Sequence, residues 1–80
     1  MAVVMAAPRA KRQGAYTNTK GQRIWFIRNP ESWLTRYSVW GNGGKGWGDM
    51  LVSHHRTRER AMVVSRRLKN KNILKVLGWK

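Results

Sequence analysis

The sequence predicts a small α+β protein: a three- to four-stranded antiparallel sheet with one α-helix in the C-terminal half. Three observations support this fold class. Aromatic and β-branched residues form short runs before residue 56. Glycines and the Asn29-Pro30 step separate these runs, as turns do. After residue 57 the apolar spacing becomes helical. The predicted order is β-β-β-α-β.

The first 20 residues are predicted to form a flexible basic tail, and residues 21–80 a single small domain. Pro8, Gly14 and Gly21 interrupt the first segment, and no apolar period crosses it. Its cations are Arg9, Lys11, Arg12 and Lys20. Such a tail is either solvated or lies along phosphates.

Three strands are predicted before the helix. The first, Gln22–Arg28, is apolar on both faces, so we expect both faces to be covered. The turn at Asn29 joins it to the second strand, Ser32–Trp40, in an antiparallel hairpin. A helix beginning at Asn29 is the alternative for this second segment. The third strand, Asp49–His55, is expected to pair with the second across a glycine-rich loop.

The predicted helix begins at Thr57, a favourable N-cap, and Glu59 places negative charge in its first turn. Its apolar stripe is narrow and consists of Ala61, Val64 and Leu68. Asn70 or Asn72 is expected to end it. Residues Ile73–Trp79 then form either a fourth strand or a docked C-terminal segment.

Charge is the strongest indication of function. Seventeen Lys and Arg residues oppose three Asp and Glu residues, which gives a formal net charge of +14 and a pI near 11.8. Because such charge repels itself in the compact state, a partner of opposite charge is expected. Nucleic acid is the commonest such partner, and an acidic protein surface or an anionic membrane are the alternatives.

The stretch VWGNGGKGWGDM, residues 39–50, invites comparison with a phosphate-binding loop. A P-loop requires G-x-x-x-x-G-K-[ST]. Gly41 and Gly46 have that spacing, but Trp47 stands at the lysine position and no hydroxyl residue follows. The stretch is therefore predicted to be a mobile hairpin loop. Lys45 and Trp47 at its tip would contact phosphate and stack on a base.

No catalytic site, metal or cofactor is expected, so the chain is predicted not to be an enzyme. His54 and His55 are neighbours and would face opposite sides of a strand. The three acids are scattered, and the chain has no cysteine. The absence of cysteine is compatible with a cytoplasmic location. No segment has the roughly 20 apolar residues of a membrane span.

Five tryptophans exceed what so small a core is expected to hold. They are Trp25, Trp33, Trp40, Trp47 and Trp79. Two or three are predicted to be structural, Trp25 first and then Trp33 or Trp40. Any exposed ring would stack on a base or anchor a protein partner.

These features predict a non-enzymatic nucleic-acid-binding protein, with DNA favoured over RNA, that uses Lys and Arg on phosphates and Trp on bases. The predicted contact residues are Lys11, Arg12, Arg36, Lys45, Trp47, Arg56, Arg58, Arg60, Arg66, Arg67 and Lys69. The alternative is a phage-type inhibitor or adaptor that binds a host nucleic-acid machine, such as RNA polymerase or a CRISPR complex. Membrane binding is not expected, because the helix stripe is too narrow. Dimerisation is compatible with the small core.

Over about residues 22–70, a three-stranded sheet followed by a helix resembles small plant and phage-integrase DNA-binding domains. The resemblance rests on element order and charge and includes no motif residue. It implies a sheet that reads the major groove of DNA.

Overall fold

The computed structural model of the protein describes residues 4–5, 10–29, 36–44 and 46–78. In these residues five strands form one antiparallel sheet in the order β1-β5-β4-β3-β2. The elements are β1 (Val4–Met5), β2 (Gln13–Thr17), β3 (Arg23–Arg28), β4 (Tyr37–Asn42), β5 (Asp49–His55), α1 (Arg58–Arg67) and α2 (Ile73–Val76). The α+β class, with an antiparallel sheet and a helix in the C-terminal half, is confirmed.

The central strands agree with the sequence pattern. β3 and β5 lie where the first and third strands were predicted, and β4 begins later than the predicted second strand and runs on to Asn42. Trp25 of β3 pairs with Trp40 of β4, and Trp40 pairs with Leu51 of β5. The strand interpretation therefore holds from Tyr37 onward. Residues 30–35, which the prediction also covered, lie outside the described residues.

The N-terminal segment differs from the prediction of a tail, because residues 13–17 form the edge strand β2 and pair with β3. Tyr16 accounts for the difference. Its ring packs against the core, and its hydroxyl donates to the carbonyl oxygen of Ser65 on α1. A residue 49 positions away thus orders this strand.

The C-terminal segment Ile73–Val76 is a short helix and not the fourth strand of the predicted order, and it docks on the core, as the alternative for this segment expected. The Asn72 side chain caps it by accepting the backbone N–H of Leu74 at 3.0 Å. The helix packs closely on β4 because Gly41 has no side chain. A Cβ at that position would lie 2.7 Å from Cδ1 of Ile73. Trp79, at the end of the predicted strand, is outside the described residues.

The helices cover one face of the sheet and bury the larger core beneath them. This helix-side core contains Ile24, Phe26, Val39, Met50, Ala61, Leu68, Ile73 and Leu74. The opposite face carries a second cluster of Trp25, Ile27 and Trp40. Trp25 and Trp40 are 0% and 4% exposed, so their predicted structural role is confirmed. Trp33, the other candidate, lies outside the described residues.

A buried polar network joins the β2–β3 turn to the helices. The Asn18 side chain is its centre and is 5% exposed. Its amide nitrogen donates to the carbonyls of Leu68, at 3.2 Å, and Lys71, at 2.8 Å, which closes the C-terminal end of α1. Its oxygen accepts the backbone N–H of Gln22 at 2.8 Å, and the Gln22 side-chain oxygen accepts the backbone N–H of Ile73 at 2.9 Å.

Replacing Asn18 with alanine is expected to destabilise the protein by about 2–4 kcal/mol, because several buried backbone groups lose their partner at once. Urea unfolding followed by tryptophan fluorescence measures the loss. Asn70→Ala is the matched control, since Asn70 is exposed. Equal stabilities of the two variants would contradict the central role of Asn18.

Candidate nucleic-acid interface

Residues 56–75, here called the helical segment, concentrate the charge of the protein. Its cations are Arg56, Arg58, Arg60, Arg66, Arg67, Lys69, Lys71 and Lys75, and its one acid is Glu59. Eight cations and one acid give a net charge of +7, half of the +14 of the whole chain, on a quarter of its residues. All eight cations are exposed. The structure thus places six of the predicted contact residues on α1 and the short segments beside it: Arg56, Arg58, Arg60, Arg66, Arg67 and Lys69.

The N-terminal end of α1 is fixed by Thr57, whose hydroxyl accepts the backbone N–H of Arg60 at 3.2 Å. Arg58 lies across the sheet, donating from Nε to the side-chain oxygen of Gln13 at 3.0 Å. Its guanidinium carbon lies 5.8 Å from the ring centroid of Phe26. Arg58 therefore ties α1 to β2 in addition to presenting charge.

The two histidines are held by serine hydroxyls on opposite faces of β5. His54 Nδ1 lies 3.0 Å from Ser38 Oγ, and His55 Nε2 lies 2.7 Å from Ser53 Oγ. Burial lowers the pKa of His55 from its usual value, and the charges of Arg60 and His54 lower it further. In the described part of the chain, no three His, Cys, Asp or Glu side chains gather as a metal site requires.

The exposed side of α1 is a basic ridge with one apolar residue in it. Arg60, Val63 and Arg67 recur at i, i+3 and i+7 and point away from the sheet, and Val63 is 44% exposed. The ridge is about 15 Å long over the ten residues of α1. The ridge thus presents two exposed arginines on the outer, convex side of the helix.

A groove lies beside the ridge, between the edge strand β2 and α1. Its volume is about 510 Å³. Gly14, Ala15 and Tyr16 form the strand wall, and Met62, Arg66 and Lys69 lie on the helix side. Tyr16 and Met62 are half-buried, whereas Arg66 and Lys69 are exposed at the rim. The groove thus combines apolar walls with two cations.

The strand wall of this groove was not among the predicted contact residues. Gly14, Ala15 and Tyr16 belong to the short run QGAYT, which has a single large apolar side chain. The one available signal was a tyrosine isolated among small and polar residues of a basic segment. That signal is too weak to indicate a site.

The glycine-rich loop is ordered around Asn42 and does not present Trp47 as predicted. Asn42 accepts the backbone N–H of Gly44 at 2.9 Å and donates to the Trp47 carbonyl at 3.3 Å. The Trp47 ring is half-buried against the helix-side core. A Cβ on Gly43 would lie 3.0 Å from that ring. Trp47 is thus largely a packing residue, and Lys45 lies outside the described residues.

Arg12, a predicted phosphate contact, is exposed and places its guanidinium over the tryptophan face of the sheet. Its central carbon lies 3.9 Å from the ring centroid of Trp25, and Nη2 lies 3.9 Å from Oδ2 of Asp49. The centre of this face is buried tryptophan, not the open sheet surface that the resemblance to DNA-binding domains implied. The helical segment lies on the other face.

Two further predicted residues, Lys11 and Arg36, are not among those that line the groove. Lys11 is exposed just before β2, and Arg36 is half-buried just before β4, where its carbonyl accepts the backbone N–H of Asn29.

Within the described ranges, no helix has the length and apolar character needed to cross a membrane. No protein-family model, curated protein or solved structure matches the chain. The candidate interface therefore rests on this chain's own residues alone.

Proposed function

We propose that the protein is a non-enzymatic nucleic-acid-binding protein that holds the phosphate backbone with the helical segment, DNA being favoured over RNA. The observation that carries the proposal is the net +7 on residues 56–75, with every cation of the segment exposed. Lys and Arg side chains that neutralise phosphates release condensed counterions, and this release drives binding.

The position of the cations supports a role beyond solubility. Arg66 and Arg67 lie in the last turn of α1, where positive charge stabilises a helix. Arg56, Arg58 and Arg60 lie at the opposite end, where the helix dipole disfavours positive charge. Helix stability accounts for the first group only. Arg58 of the second group ties α1 to β2, and binding an anion at the helix N-terminus would account for Arg56 and Arg60.

The convex shape of the ridge is the reason that DNA is favoured. The major groove of B-DNA is about 12 Å wide and admits an α-helix. The corresponding groove of A-form RNA is deep and too narrow for side chains to read. The exposed Val63 between Arg60 and Arg67 would then contact bases while the arginines hold phosphates.

A titration of duplex DNA, single-stranded DNA and RNA of equal length tests the proposal. Tryptophan fluorescence or the anisotropy of a labelled strand reports binding, at salt concentrations between about 50 and 200 mM. With up to eight cations available, we expect the slope of log affinity against log salt to be about −4 to −7, and binding to DNA to be the tighter.

Failure to bind any of the three polymers at the lowest salt would overturn the proposal. A pull-down from host lysate would then test the alternative function. In that case an acidic or nucleic-acid-binding host protein would be the partner of the basic ridge, and the protein would act as an inhibitor or adaptor.

A further inference from the structure

We propose that the groove between β2 and α1 holds one unpaired nucleobase of a bound DNA strand, with the flanking phosphates on Arg66 and Lys69. The inference rests on the proposed function and adds to it. It assigns single-stranded DNA to a site beside the ridge, and it makes the recognition of the strand depend on its bases as well as its charge.

The size and walls of the groove suit a flat apolar group. Its volume of about 510 Å³ falls within the range of about 300–1,000 Å³ that is typical of small-ligand pockets. Gly14 has no side chain, and Ala15 has only a methyl group, so the strand wall leaves the groove open. A β-bulge between Gln13 and Tyr16 places these two small residues side by side at the groove.

Tyr16 gives the groove an aromatic wall that is held in place. Its hydroxyl donates to the Ser65 carbonyl, and its ring packs against the core. Burial raises the pKa of the Tyr16 hydroxyl, so this group remains a neutral donor at physiological pH. A fixed aromatic ring stacks on any base, because every base has a π face.

The charges at the rim distinguish a nucleic acid from other occupants. Arg66 and Lys69 are three residues apart and border the same side of the groove. The described residues that line the groove include no carboxylate. A DNA strand alternates flat apolar bases with phosphates and matches both features. An acidic peptide matches the cations but does not alternate a flat base with a phosphate at every step along its length.

The first test uses two strands of equal charge. One is an oligothymidylate of about ten nucleotides, within the site sizes of single-strand-binding domains. The other is an abasic phosphodiester with the same number of phosphates. We expect the protein to bind the oligothymidylate about tenfold more tightly, because only that strand has a base to stack. Equal affinities for the two strands would overturn the inference.

The variant Ala15→Leu narrows the groove from its strand wall without changing the charge. Ala15 is exposed, so the added side chain disturbs no core contact. The variant is expected to bind the oligothymidylate as weakly as the abasic strand, and to bind the abasic strand as the natural protein does. Thermal unfolding confirms that the fold is kept. An unchanged preference for the oligothymidylate would refute a base in the groove.

A matched pair of charge variants does not depend on the fit of a new side chain. Arg66→Gln/Lys69→Gln removes the two rim cations, and Arg67→Gln/Lys71→Gln removes two neighbouring cations outside the groove. The first pair is expected to reduce the preference for bases, because the flanking phosphates lie on Arg66 and Lys69 only when a base occupies the groove. The second pair is expected to weaken the binding of both strands equally. If both pairs weaken both strands equally, the inference fails while the proposed function stands.

Two further outcomes are decisive. If polyglutamate displaces oligothymidylate from the natural protein, and Ala15→Leu weakens polyglutamate as much as oligothymidylate, the occupant is an acidic peptide and the inference is wrong. If neither the oligothymidylate nor the abasic strand binds at low salt while duplex DNA binds, the inference fails and the proposed function stands; if duplex DNA and RNA also fail to bind, both fail.

Discussion

Replacing Gly14 with alanine is expected to destabilise the protein by about 3 kcal/mol, through two separate costs. Gly14 has a φ of +58°, a left-handed conformation that costs an L-residue about 1–2 kcal/mol. A Cβ would also lie 2.9 Å from Cε1 of Phe26, whose ring is fully buried, and overpacking of this kind costs about 1–3 kcal/mol. A core of this size supplies only about 3–5 kcal/mol, so the variant would be partly unfolded.

Alanine variants of two other glycines measure the backbone cost and the packing cost separately. Gly21 has a φ of +76° and no atom within 4 Å of an added Cβ, so Gly21→Ala carries the backbone cost alone. Gly41 lies in β4 without a positive φ, and its Cβ would meet Cδ1 of Ile73, so Gly41→Ala carries the packing cost alone. Urea unfolding of the three variants provides the comparison. A Gly14 variant no less stable than the Gly21 variant would show that β2 does not pack on Phe26.

The sequence was sufficient for the elements whose stability is largely local. β3 and β5 lie in runs rich in aromatic and β-branched residues, and both were predicted at or within one residue of their observed bounds. Thr57 caps α1, as its residue type and position indicated. In these elements the local preference of the chain and the tertiary packing agree.

β2 and α2 could not be predicted because contacts distant in sequence determine them. The strand QGAYT contains a bulge and a glycine, and it is held by Tyr16 on Ser65 and by Asn18 at the end of α1. The segment ILKV contains the β-branched residues Ile73 and Val76, yet Gln22 accepts the backbone N–H of Ile73 from 51 positions away, and Gly41 gives the helix a place to pack. Tertiary contacts override local preference in both segments.

The candidate site, like the fold, could be predicted from the sequence only in part. Composition was enough to predict a basic surface, and the run from Arg56 onward was enough to place it after the last strand. The sequence could not separate cations that line the groove, such as Arg66, from cations engaged by the sheet, such as Arg12. Which cations line the groove depends on the side of α1 that faces β2. The position of the Arg12 side chain depends on Trp25, which is 13 positions away in sequence.

Neutralising the ridge is expected to produce the largest change in nucleic-acid affinity. The double variant Arg60→Gln/Arg67→Gln removes two exposed cations of α1 that lie outside the groove. Each phosphate contact contributes about 0.9 to the slope of log affinity against log salt. If both arginines hold phosphates, the slope falls by about 1.8, and the affinity for DNA near 0.1 M salt falls roughly 60-fold.

The matched variant Lys11→Gln/Arg23→Gln changes the net charge by the same amount at another place. Lys11 precedes β2, and Arg23 alternates with Ile24 along β3, so it faces the tryptophan side of the sheet. If the affinity for DNA depends only on the total charge, both double variants lose the same affinity. If α1 holds the phosphates, Arg60→Gln/Arg67→Gln loses far more affinity than the matched variant. The matched variant also tests the basic N-terminal arm predicted from the sequence. Equal losses would mean that the total charge, and not phosphate contacts on α1, determines the affinity, and the ridge would not be the principal interface.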